Sequence, residues 1–201
     1  MSTAAAQPVT YGHNASLAKW SVARYQRMIE AGILTPEDKV ELLENQVVLK
    51  MPRNPPHDGT IQLIGKRLPR LIPSGWELRT QLTVVLPDSQ PEPDLAVARG
   101  DERTYLTCHP TATDVGLIIE VAGTSLLRDQ RDKTRIYARA GIPVYWIVNL
   151  VDRRVEVYTQ PSGPTAVPAY GASQVYQPGD AVPLVLDGAA VGSVAAADLL
   201  P

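Results

Sequence analysis

Two acids lie in apolar surroundings, and a lysine follows them. Asp94 opens the run Asp94-Leu95-Ala96-Val97-Ala98, Glu120 lies within Leu117-Ile118-Ile119-Glu120-Val121-Ala122, and Lys133 comes next on a stretch with helical spacing. Ionised carboxylates are almost never fully buried unless paired or bound to metal, because removing the charge from water costs several kcal/mol. One divalent cation answers for both acids. Magnesium, or manganese in its place, needs only one or two protein carboxylates and completes its octahedron with water and phosphate oxygens. Such an ion polarises a phosphate and lowers the pKa of a bound water, and a nearby ammonium stabilises charge developing on the phosphate. The chemistry to expect is hydrolysis of a phosphate ester.

Those residues need a scaffold that brings them together. Alternation along strands puts Asp94, Ala96 and Ala98 on one face and Ile118, Glu120 and Ala122 on one face of another. The alanines leave space beside each acid. Strands are expected over 94–98, 117–122, 144–150 and 155–159, with a helix over 127–140 stopped by Gly141. A strand, a helix and a strand in that order predict a right-handed crossover and a parallel pair. Lys133 shares a helix face with Asp129 and Tyr137, four residues to either side. The plain alternative for Lys133 is an exposed ion pair with Asp129, worth about 0.3–0.5 kcal/mol.

The first half predicts a helix over 18–31, a helix start at Thr35-Pro36, strands around a turn near Glu44-Asn45 within 40–51, and a helix over 57–72. Four residues before Ile61, His57 shares that helix's inward face. Strands are also expected over 76–80 and 81–86, followed by a proline-rich connection over 87–93 that delivers Asp94 to the head of its strand. One or two closing strands are expected around 181–186. Residues 1–14 read as a flexible N-terminal tail, and residues 15–201 as one domain.

Composition narrows the function classes. The 201 residues are 44% hydrophobic and 20% charged, with no apolar run long enough to span a bilayer, so no membrane role is expected. No signal peptide is visible, and the single cysteine, Cys108, suits a cytoplasmic protein. A net charge of -2 argues against uniform basic attraction to nucleic acid, although Lys66, Arg67 and Arg70, and then Arg128, Arg131, Arg135 and Arg139, form basic clusters. These clusters read as solvated helix faces, and Tyr145 and Trp146 as core packing on their strand.

The stretch from Leu117 to Asn149, with Glu120, Arg128, Asp129, Lys133, Tyr137, Gly141, Tyr145 and Trp146 in order, resembles the signature of the Uma-two family of restriction endonucleases, within the PD-(D/E)XK nuclease superfamily. Gln81 with Pro91-Glu92-Pro93-Asp94 resembles that family's first acidic motif, and Val40-Glu41-Leu42-Leu43 with His57 its N-terminal half. The similarity runs from about Leu17 to Leu200. It implies an α/β restriction-endonuclease-like core, a mixed central sheet with a strand-helix-strand crossover and flanking helices. It implies Asp94 and Glu120 as magnesium or manganese ligands, Lys133 as the catalytic lysine and Glu41 as a further acid, with His57 and Gln81 lining the site. DNA is the implied substrate, and a homodimer is compatible with the pattern. Two departures stand out: Ala122 occupies the place two residues after the second acid where the superfamily carries its lysine, and Asn45-Gln46 replaces a Gly-Glu pair. A nucleic-acid-binding or regulatory module of the same fold without turnover therefore stays open, as does a structural partner protein that acts through oligomerisation.

Overall fold

The computed structural model describes residues 18–201, so the 1–14 tail expected from sequence lies outside the described residues. Helix α1 (Val22–Glu30) starts at Ser21, whose hydroxyl accepts from the Arg24 amide at 3.2 Å. After a short 3-10 turn at Pro36–Asp38 come β1 (Val40–Leu43) and β2 (Gln46–Leu49), an antiparallel hairpin whose turn residues Glu44 and Asn45 both have positive φ. Helix α2 (Pro55–Arg67) is capped by the Asn54 side chain and gives way to 3-10 geometry at Leu68–Arg70, because Pro69 has no N–H to continue the α ladder. The helix expected over 57–72 is thus shorter and starts earlier.

Strands β3 (Trp76–Thr80), β4 (Leu95–Arg99) and β5 (Val115–Ala122) follow. The crossover then runs through α3 (Leu126–Arg128), a π-helical turn (Asp129–Lys133) and α4 (Thr134–Ala140) into β6 (Val144–Asn149). The last strands are β7 (Arg154–Pro161), β8 (Tyr170–Tyr176), β9 (Ala181–Leu186) and β10 (Ala189–Ala195). The central sheet has six strands in the order β3-β4-β5-β6-β7-β8, with β5 and β6 parallel as the strand-helix-strand pattern predicts and every other pair antiparallel. This is a mixed α/β architecture.

Burial sorts by strand alternation. In β5 all eight residues are buried: Leu117, Ile119 and Val121 pack with α2, β9 and the C-terminal turn, while Ile118 and Ala122 join Ala96, Ala98, Ile136 and Tyr137 on the opposite face. Glu120 points to that second face. Close packing shows at Gly116, where a Cβ would stand 2.7 Å from the Trp76 ring.

Three expectations need correction. Residues 81–86 do not form a strand: Gln81 sits at φ 54, and the segment bonds locally, with Val84 N donating to Pro91 O and Leu86 N to Ser89 O. Positive φ breaks the ladder, and the prolines remove donors that would extend it. The closing strands number three rather than one or two, since β8 joins the sheet and β9 and β10 form a separate hairpin. The 127–140 helix is interrupted by the π turn that carries Asp129 and Lys133.

Candidate active site

Register brings the two acids together. Leu95 pairs with Ile119 and Ala96 with Ile118, so one step further along the antiparallel ladder sets Asp94 against Glu120. Asp94 is held from two sides, its Oδ2 accepting from the Val121 amide at 2.9 Å and lying 3.1 Å from His57 Nε2. Burial opposes charge on Asp94, but His57, the Lys133 ammonium and the Val121 amide outweigh it and keep the carboxyl below its ordinary range. Burial would likewise depress the His57 imidazole, yet Asp94 and Asp58 reverse this, and its pKa lies above the usual value.

Glu120 is 3% exposed, and its Oε1 accepts from both Lys133 Nζ and Tyr137 OH at 2.7 Å. Burial pushes its carboxyl up to about 8, against the pull of the ammonium. The three residues predicted to share a helix face, Asp129, Lys133 and Tyr137, do meet there. The pair of Asp129 and Lys133 is not exposed, however. At 2% and 8% exposure the two lie 3.8 Å apart inside the same pocket, so the surface ion pair is excluded. The π turn makes this possible by widening the coil before α4, a distortion frequent at functional sites. The Asp129 carbonyl accepts the Thr134 N–H, the i to i+5 bond of the π turn, and also the Thr134 hydroxyl at 2.9 Å and Tyr145 OH at 3.2 Å.

Another buried acid anchors the turn from behind. Glu156, 4% exposed, accepts from Gln130 on the π turn and from Asn149, Arg154 and Tyr158. Neither Glu156 nor the burial of Asp129 was foreseen from sequence. The spacing of Asp129 to Lys133 was the available signal, and it was equally compatible with an exposed pair.

The hairpin closes the other side. Glu41 is 5% exposed and lines the pocket, but its Oε1 takes a hydrogen bond from Arg128 Nη2 at 3.2 Å, while Arg128 Nη1 donates to the Leu49 carbonyl. His57 lines the pocket with Glu41, Asp94, Glu120 and Lys133. Gln81 is not among the lining residues; it reaches the rim through Arg53, whose Nη1 donates to its side-chain oxygen at 2.7 Å. The arginine cluster is not a solvated face, since Arg135 pairs with Glu44 and Arg139 with Glu44 and Asp88, which fastens the hairpin turn to α4.

The donor set suits a hard divalent ion. Among the described residues, Asp94 Oδ1 and Glu120 Oε2 make no protein hydrogen bond, so each acid keeps an oxygen for a ligand. No group of three or more His, Cys, Asp or Glu side chains in a metal-binding arrangement occurs among the described residues, and magnesium requires only one or two carboxylates. The pocket encloses ≈ 80 Å³, room for an ion and a few waters.

No curated protein matches the chain significantly. Among solved structures, a protein of Anabaena variabilis described as a putative nuclease belonging to DUF820 superposes with a TM-score of 0.62, covering 89% of this chain and 96% of its own, at 14% identity. That likeness is one of fold. Residues 22–192, from the start of α1 into β10, match the family described as Uma2, putative restriction endonuclease. Because that match spans most of its length, this chain belongs to the Uma2 family.

Proposed function

We propose that this protein is a magnesium- or manganese-dependent endonuclease that hydrolyses phosphodiester bonds in DNA by a PD-(D/E)XK-type mechanism. The observation that carries the reading is the buried contact between Lys133 Nζ and Glu120 Oε1, 2.7 Å long, in the pocket that Asp94 also lines. Acids packed this closely would repel a phosphate unless a cation stood among them. Asp94 and Glu120 would hold the ion, which when bound polarises the scissile phosphate and lowers the pKa of water.

This chain's own groups supply the rest. Tyr137 fixes one oxygen of Glu120 and leaves the other facing the pocket, while His57 and the Val121 amide fix Asp94. Lys133, on the helix rather than the strand, would stabilise negative charge on the attacked phosphate or orient the attacking water. Glu41, held by Arg128, braces the opposite wall. The pocket is too small for a nucleotide, so the DNA strand lies across its mouth and presents one phosphate.

Cleavage of supercoiled plasmid in magnesium or manganese tests this. The wild-type chain should cut, and Glu120→Ala should not, with its fold verified by circular dichroism. Undiminished cutting by Glu120→Ala would remove the mechanism. An inactive module of the same fold would bind DNA and leave it whole in both forms.

A further inference from the structure

Lysines and arginines line the catalytic pocket, and all but one of them meet a carboxylate. Lys50 pairs with Glu92, Arg128 with Glu41, and Lys133 with Glu120 and Asp129. Arg53 is the exception. It is exposed at the rim, and among the described residues its guanidinium has no carboxylate within ion-pair distance. Its partner is neutral: Nη1 donates to Gln81 Oε1 at 2.7 Å, which orients the guanidinium without cancelling its charge. The remaining donors of the fork stay free for a ligand.

Gln81 is itself held in an unusual way. Its φ of 54 is a left-handed conformation that residues with a Cβ rarely adopt, and such strain persists only where the surroundings fix it. Here the Gln81 amide donates to the Asp94 carbonyl at 3.0 Å, so one residue connects Arg53 to the backbone of an acid of the site. Pro52 on one side and Pro55-Pro56 on the other restrict the backbone that carries Arg53, and Asn54 between them caps α2. A fixed, uncancelled guanidinium at the mouth of a pocket that handles one phosphate suits a second, whose oxygens fit the fork of donors.

We propose that Arg53, positioned by Gln81, binds a DNA backbone phosphate neighbouring the one that enters the catalytic pocket. This contact rests on the nuclease reading for its ligand, but its test does not depend on cutting. It fixes where the strand crosses the mouth, because the Gln81 link sets the guanidinium in place relative to Asp94.

Binding of a short labelled DNA duplex is measured by fluorescence anisotropy in calcium, which supplies a cation among the acids, over about 50–200 mM potassium chloride and within the time that a gel shows the DNA whole. Each phosphate contact adds about 0.9 to the slope of log affinity against log salt. Arg53→Gln should bind about tenfold more weakly at the lowest salt with a slope shallower by about one, whereas Arg103→Gln, exposed beyond the far end of β4, should match the wild type. Gln81→Asn tolerates the left-handed backbone but carries its amide one carbon shorter; it should weaken binding in the wild-type chain and change nothing in Arg53→Gln. Unchanged affinity and slope in Arg53→Gln, or an equal loss in Arg103→Gln, overturns the proposal and leaves the nuclease reading intact; a full Gln81→Asn loss in the Arg53→Gln chain overturns the positioning by Gln81. DNA binding without cleavage in magnesium or manganese removes the enzyme and leaves the phosphate contact, and no DNA binding by the wild type removes both.

Discussion

Replacing Lys133 with Met tests the electrostatic logic of the pocket without reference to activity. The substitution keeps a long side chain and removes the charge that faces Glu120 at 2.7 Å and Asp129 at 3.8 Å, in a setting where the two acids are 3% and 2% exposed. Breaking a buried pair by deleting one partner costs about 3–5 kcal/mol, because the surviving charge stays desolvated. For a chain of this length each kcal/mol moves the melting temperature by about 2–4 °C, so Lys133→Met should melt roughly 6–20 °C below the wild type at pH 8.

The sign of the pH dependence follows from Glu120. Its carboxyl titrates near 8 in the folded chain, above its ordinary value of 4.5, so between those values the native state holds a proton that the unfolded chain has released. Its contribution to stability is complete below the ordinary carboxyl value and is lost as pH rises towards 8. Removing the ammonium, which pulls the Glu120 value down, should steepen that loss, so the deficit of Lys133→Met narrows on acidification to about pH 5. Differential scanning calorimetry at both pH values is the assay. Melting within 2 °C of wild type at pH 8, or a deficit that grows on acidification, would refute the reasoning.

Two further outcomes are expected. His57, raised above its usual value by Asp94, should contribute stability fully below about pH 6.5 and lose it as pH climbs through its folded value, so His57→Gln should flatten the stability profile in that window; an unchanged profile in urea titrations would count against the pairing. At Gly116 a methyl group would stand 2.7 Å from the Trp76 ring and 2.9 Å from Leu186, so Gly116→Ala should destabilise by about 1–3 kcal/mol, read from urea denaturation; neutrality would show that Trp76 moves aside freely.

The acids were legible because their surroundings were apolar. Asp94 and Glu120 break hydrophobic runs, and the same runs fix the strands and their alternation, so position and element came from one signal. The parallel pair of β5 and β6 followed from the crossover pattern. What stayed hidden depended on contacts between distant parts of the chain. Glu41 meets Arg128, and Glu44 meets Arg135 and Arg139, across nearly half of the sequence, and nothing local to either partner announces the pairing. The extended run at 81–86 looked like a strand because its residues suit one, but the positive φ at Gln81 and the prolines after it override propensity. The spacing put Asp129 on the face of Lys133 and Tyr137, but an exposed pair with Lys133 stayed open as the alternative, because spacing alone does not tell whether that face is buried.

The widened turn at Asp129–Lys133 makes the length of this stretch matter as much as its chemistry. Adding one more position ahead of Lys133, beyond the extra residue that the wide turn already absorbs, would carry the ammonium about 100° around the axis, away from Glu120. Every residue type could survive such an insertion and the pocket would still lose its positive charge. Insertions and deletions between β5 and α4 should therefore be tolerated far less than substitutions on the turn's outer surface.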